Sequence, residues 1–158
     1  MSHPRSQLLV RPVTAADADL LLEWANDPLT RAASFHPDPI DRSGHLRWLA
    51  ARLGSPRTGF WIGEIEGVPV GQARVEVDER GVGEVSISVA PEARGAGTGR
   101  ALLAAALGEA RRTLPVTVFL ARVRPENERS LALFRDAGFV PRGEEDRAGI
   151  PCLELWLG

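Results

Sequence analysis

The stretch Val85-Ser86-Ile87-Ser88-Val89-Ala90-Pro91-Glu92-Ala93-Arg94-Gly95-Ala96-Gly97-Thr98-Gly99-Arg100-Ala101-Leu102-Leu103 decides how this chain is read. An alternating apolar strand stops at Pro91. A run with glycine at every second position follows, and a helix rich in Ala and Leu begins at once. Glycine lets the backbone turn with its N–H groups pointing outward, and a helix N-terminus adds partial positive charge. Strand, glycine loop, helix is therefore a way to hold phosphate, and it points to a phosphorylated cofactor or nucleotide. The same arrangement also serves as a plain strand-to-helix connection.

Two familiar phosphate loops do not fit. A Walker loop needs a lysine, and all 19 basic residues here are arginine. The dinucleotide fingerprint needs Gly-x-Gly-x-x-Gly after the first strand, with an acid about 20 residues later. Here the spacing is Gly-x-Gly-x-Gly, past the middle of the chain. What fits is Arg-x-x-Gly-x-Gly after a strand ending in Val-x-Pro. A second block, Asn127-Glu128-Arg129-Ser130-Leu131-Ala132-Leu133-Phe134-Arg135-Asp136-Ala137-Gly138-Phe139, stands downstream of it. With these two blocks in this order the chain resembles the GNAT superfamily of acyl-CoA-dependent N-acetyltransferases over nearly its whole length. Arg94, Gly97 and Gly99 occupy the defining loop positions of that family.

Size and composition agree with a single soluble domain over residues 1–158. A net charge of −2 gives no bulk attraction to nucleic acid or anionic membrane, so neither is expected as a partner. The single cysteine, Cys152, cannot form an internal disulfide. Met1 to Arg11 lacks the apolar stretch of a signal peptide, and no segment approaches a membrane span, so the expected location is cytoplasmic.

Periodicity yields the coarse order of elements. Leu8–Arg11 reads as a strand. Thr14 to Asp17 resembles a capping box leading a helix with Leu20, Leu21 and Trp24 on one face. Residues 27–40, with three prolines, read as a loop. A helix over 41–53 follows, with Leu46, Leu49 and Leu53 as its buried stripe and His45 and Trp48 on another face. Strands at 60–66 and 70–77 read as a hairpin around Gly67-Val68-Pro69. A strand at 84–89, a helix to about Thr113, a strand at 116–123 and a helix at about 126–137 come next. Gly138 reads as the cap of that last helix, and strands near 139–144 and 151–157 close the chain. The pattern alone gives α/β with a mixed sheet. The resemblance sharpens it to a GNAT fold of α+β type, a mostly antiparallel sheet of about seven strands flanked by about four helices.

The resemblance also implies roles. Gly95, Ala96, Gly97, Thr98 and Gly99 would hold the pyrophosphate of acetyl-CoA through backbone N–H groups, with Arg94 and Arg100 adding charge. In the family the strand before the loop bulges and splays from its neighbour. That places the Ile87 N–H at the thioester carbonyl and Val89 beside the pantetheine arm. Glu84 falls where many relatives carry a base for the amine, and alternation puts it on the face opposite Ile87. His36 and His45 are the alternative bases. Asn127 matches a cofactor-contacting asparagine and is equally a helix N-cap. Relatives often use a tyrosine in the last helix as general acid, but this chain has none, and Phe134 stands there. Phe134 can pack against the arm, so Ser130 or water is left to donate the proton. No metal is expected.

The first third of the chain sets the acceptor in this family. Trp24, Asn26, Arg31, His36, His45 and Trp48 look like the branch that acetylates nucleotide-linked amino sugars and related small amines. Both tryptophans are equally readable as core. Relatives that acetylate aminoglycosides or protein N-termini remain alternatives, as does a non-catalytic acyl-CoA binding module. Dimers are common in the family, and a homodimer is left open.

Overall fold

The computed structural model describes residues 7–36 and 38–158. The N-terminal stretch read for a targeting segment thus lies, up to Ser6, outside the described residues, as does Pro37 of the 27–40 segment. The elements are β1 (Leu8–Pro12), α1 (Ala18–Ala25), α2 (Pro28–Ala33), α3 (Arg42–Leu53), β2 (Thr58–Ile65), β3 (Val68–Val77), β4 (Val82–Val89), α4 (Thr98–Thr113), β5 (Val118–Val123), α5 (Glu128–Asp136), β6 (Val140–Arg147) and β7 (Ile150–Leu157). The strands form one seven-stranded sheet in the order β1-β2-β3-β4-β5-β7-β6. Every neighbouring pair is antiparallel except β4 and β5. The mixed, mostly antiparallel sheet is the expected one.

Alternation along the strands builds two cores, one on each face of the sheet. The Leu102, Leu103, Ala106, Leu107 and Ala110 stripe of α4 packs with Trp61, Ala73, Val75, Val85 and Phe119. On the other face, Leu21, Trp24 and Leu49 of α1 and α3 cover Phe60 and Ile62.

The structure departs from the sequence reading in three places. Residues 28–33 form the helix α2 where a loop was expected. Asp27 accepts the Thr30 N–H at 3.1 Å as N-cap, and Pro28 fills the first helical position, where its missing N–H costs nothing. In α3 the buried residues are His45 and Leu49, while Leu46 and Leu53 are exposed. Counting leucines misjudged that face because the inner surface presents polar partners: His45 Nε2 donates to Ala18 O at 3.0 Å, tying α3 to α1. The β2–β3 turn falls at Glu66-Gly67, both with positive φ, and Val68 already belongs to β3.

A buried carboxylate fastens the start of α1. Asp17 takes two hydrogen bonds from the Arg11 guanidinium, both 2.9 Å, and one from the Thr14 N–H at 2.8 Å. The Arg11 hydrogen bond holds the Asp17 carboxyl below its usual range. Its folded pKa therefore lies under the unfolded one, and the stabilisation is complete above the unfolded value near pH 4 and fades as pH falls through the folded value. Asp17→Asn is expected to cost about 1–2 kcal/mol at pH 7. Urea melts at pH 7 and pH 3 should show the gap between variant and wild type narrowing at the lower pH. A gap of equal size at both would rule out this ionic contribution.

Candidate active site

The sheet parts in its middle. β4 and β5 pair only as Val82↔Val118, Gly83↔Phe119 and Glu84↔Leu120. The Ala90 N–H donates to Val70 O at 2.8 Å, so by alternation the even residues of β4 bond to β3 and the odd ones face β5. Past Glu84 that side has no paired strand among the described residues, and the N–H groups of Ile87 and Val89 open into the gap. The β3–β4 register runs unbroken from Gly71↔Val89 to Val77↔Gly83. The gap thus comes from splay, without the register shift that a bulge would give.

The glycine loop closes one end of this gap. Gly95 and Gly97 have φ of 89° and 75°, and a Cβ on either would meet no atom of the described residues within 4 Å. Left-handed backbone, not crowding, calls for glycine there, and the space beside both is free. Gly97 is the N-cap of α4, and no side chain among the described residues caps this helix. The first helical bond runs from Ala101 N–H to Gly97 O, at 3.2 Å, which leaves the N–H groups of Thr98, Gly99 and Arg100 without an intrahelical acceptor. Together with the dipole of a 16-residue helix, these donors fit a phosphate group. Gly99 sits where a Cβ would lie 3.4 Å from Val89 and 3.7 Å from Leu133. That position joins the end of β4 to the first turn of α4 and to α5.

The charges near the loop are engaged within the protein. Arg94 donates to Asp27 at 2.7 Å, which holds that carboxyl below its usual range, and Arg100 donates to Asp136 at the same distance. Thr98 is buried. On α5, Asn127 accepts the Ser130 N–H at 3.2 Å as N-cap, and Ser130 is half-buried. Phe134 is 4% exposed and lies edge-on to Phe139, so it belongs to the core around the gap.

Glu84 stands where the strands separate, on the face away from α4. Its carboxylate bridges Arg122 of β5, at 2.5 Å, and Arg147 of β6. Arg122 also meets Glu145 at 3.0 Å and Glu154 at 3.4 Å. Arg147 lies over the Phe35 ring, 5.6 Å from its centroid. Burial, and the hydrogen bond shared with Glu145, push the Glu154 carboxyl up.

The residues expected to meet the acceptor are less gathered. Trp24 is 5% exposed, inside the second core. Asn26 brackets Ile40, donating to its carbonyl at 3.0 Å and accepting its N–H at 2.8 Å. Arg31 donates to the carbonyls of Ala25 and His36, and His36 itself is exposed. His45 is the buried tie already described. Trp48 is half-buried, stacked on His45, with Arg74 4.8 Å and Arg52 5.3 Å from its ring centroid. Trp24 and His45 are thus buried and His36 is exposed, while Asn26, Arg31 and Trp48 are half-buried and tied to neighbouring residues.

The family model for the acetyltransferase (GNAT) domain matches residues 7–140. The chain belongs to this acetyltransferase family. This GNAT domain is similar to the ribosomal-protein-alanine N-acetyltransferase of Brucella melitensis, at 32% identity over 94% of this chain and 98% of that one, with a TM-score of 0.81. It is similar to yncA of Salmonella typhimurium, solved with its cofactor acetyl-CoA, at 26% identity over 95% and 92% of the two chains, TM-score 0.80. The spermidine N-acetyltransferase of Vibrio cholerae, solved with CoA and spermine, shares the fold at 19% identity over 96% and 95%, TM-score 0.85. No curated protein matches the chain.

Sequence reasoning about this GNAT domain passed over Arg122, Arg147, Glu145 and Glu154, which surround Glu84. One signal was present: Glu154 is the lone charge in the apolar strand Ile150–Leu157. An isolated carboxylate in such a strand is out of place unless it has partners.

Proposed function

We propose that the protein is an N-acetyltransferase that carries an acetyl group from acetyl-CoA to a primary amine by direct attack in a ternary complex. The observation that carries this reading is the pairing of an uncapped helix N-terminus with a gap in the sheet. The N–H groups of Thr98, Gly99 and Arg100 fit the pyrophosphate, and those of Ile87 and Val89 line the route to Glu84. Acetyl-CoA, when bound, supplies the thioester acyl group. Ile87 N–H donates to the thioester carbonyl and steadies negative charge on its oxygen. Glu84 takes the proton of the attacking amine, directly or through water. A C–N bond forms, the C–S bond breaks, and Ser130 or water returns a proton to the departing sulfur. Phe134 walls the site and donates nothing.

The favoured acceptor is the N-terminal amine of a protein. Support comes from the similarity to the Brucella enzyme at 32% identity over nearly both chains. It also comes from the burial of Trp24 and His45 and from the backbone hydrogen bonds that engage the half-buried Asn26 and Arg31, which leave few of the residues chosen for a sugar free to meet one. The nucleotide-linked amino sugar is the second reading: Arg74 and Arg52 stand 4.8 and 5.3 Å from the centroid of the half-buried Trp48 ring, and a diphosphate there would have to draw both from Glu76, which they meet. Thiol release from acetyl-CoA decides between them. Release with a peptide bearing N-terminal alanine supports the first, and release with amino-sugar nucleotides alone supports the second. Acetyl-CoA binding with no release across a broad amine panel would overturn catalysis and leave an acyl-CoA binding module.

A further inference from the structure

The short helix α2 is held at both ends by arginines from the two elements that border the gap. At its start, Arg94 of the glycine loop donates to Asp27 at 2.7 Å and approaches Thr30 Oγ at 3.5 Å, across 67 residues of sequence. At its end, Arg124, just beyond β5, donates to Ala32 O at 2.6 Å and Ser34 O at 3.3 Å. The Arg94 and Asp27 side chains are 20% and 14% exposed, so water screens this pair less than it screens a surface pair. The next residue after the α2 cap, Phe35, lies under Arg147, and Arg147 bonds Glu84. A continuous series of contacts therefore runs from the loop through Asp27, α2, Phe35 and Arg147 to Glu84.

We propose that Arg94 and Asp27 are positioning residues whose ion pair couples the cofactor loop to the acceptor side. The pair stays closed when acetyl-CoA binds, and α2 carries the position of the loop to Phe35, Arg147 and Glu84. The guanidinium of Arg94 serves this link, and the backbone N–H groups serve the phosphate. The inference rests on the reading of the loop as an acetyl-CoA site.

Asp27→Asn separates the link from the helix cap, because asparagine caps as well as aspartate but carries no charge. Amide hydrogen exchange is read with and without saturating acetyl-CoA in wild type, Asp27→Asn, Arg94→Gln and the double variant. In wild type, acetyl-CoA slows exchange over residues 29–35. In each single variant that segment exchanges about tenfold faster in the complex, and the double variant is no faster than either single, because one interaction is lost in all three. Asp27→Asn binds acetyl-CoA no more tightly than wild type. With a peptide bearing N-terminal alanine, Asp27→Asn and Arg94→Gln each raise the peptide KM while the acetyl-CoA KM holds, and Arg94→Lys, which keeps the cation opposite Asp27, shows most of the wild-type value. A role confined to stability would lower the melting temperature without that split.

Two results overturn the proposal. One is unchanged exchange over 29–35 in both single variants. The other is tighter acetyl-CoA binding by Asp27→Asn, which would mean that Asp27 had been holding a phosphate ligand back. If wild type itself fails to bind acetyl-CoA, the reading of the loop fails. The exchange of α2 in the free protein then still tests whether the ion pair holds the helix.

Discussion

Gly97→Glu is expected to abolish acetyl-CoA binding while leaving the protein folded. Titration calorimetry should show affinity falling by roughly 100-fold or more, since electrostatic and steric effects act together at the N-cap of α4. Gly97 has φ of 75°, a conformation that costs an ordinary L-residue about 1–2 kcal/mol. No atom of the described residues lies within 4 Å of an added Cβ, so the side chain itself is accommodated. A carboxylate at a helix N-terminus regains about 0.3–1 kcal/mol from the dipole, which offsets part of the strain. The fold thus survives, while the carboxylate takes up the N–H groups a phosphate would use and repels its charge. Gly97→Asn is the control: asparagine tolerates left-handed backbone and adds no charge, so it should keep most of the affinity. Binding that persists in a folded Gly97→Glu protein would remove the phosphate reading of the loop.

Glu84→Gln is expected to lower kcat by about 100- to 10,000-fold, the range for loss of a general base. Acetyl-CoA affinity should hold, because Glu84 lies at the far end of the gap from the loop. The substitution keeps the shape of the side chain and removes a charge that meets both Arg122 and Arg147. A melting curve must accompany the kinetics to exclude loss of the fold. Glu154 provides the contrast. Its carboxyl is pushed up by burial, and it reaches the same Arg122 at 3.4 Å. A small effect of Glu84→Gln beside a large effect of Glu154→Gln would move the base from β4 to β7.

Much of this was legible in the sequence because the informative signals are local. The glycine positions, the strand ending at Pro91 and the Ala/Leu stripe of α4 lie within a few residues of one another and determine one another's geometry. The same holds for Asn127 as the cap of α5 and Gly138, with φ of 100°, at its exit. What sequence reading missed depends on residues far apart. Arg94, expected to add charge for the phosphate, has a partner 67 residues away that no local pattern announces. Nothing near Glu84 in the sequence points to Arg122 and Arg147, which reach it from 38 and 63 residues away. The α3 stripe was misjudged because His45 is paid for in burial by a carbonyl on α1, a partner that hydropathy does not reveal. Helix α2 was missed because proline was weighed as a loop former, although behind Asp27 it opens a helix.

The parting of β4 from β5 gives the sheet a third edge, inside the molecule. The two outer edges are guarded in ordinary ways. β1 is short, and β6 carries Pro141, a run of charges and a register shift near Gly143. The inner edge has no such protection in its own residues, since Val85, Ile87 and Val89 are the kind that recruit foreign strands. Its protection is architectural. The edge faces β5 within the same sheet, and α4 packs against one face of the strands beside it. The protein can therefore keep unpaired backbone donors ready for use without the aggregation hazard that the same donors would carry on its rim.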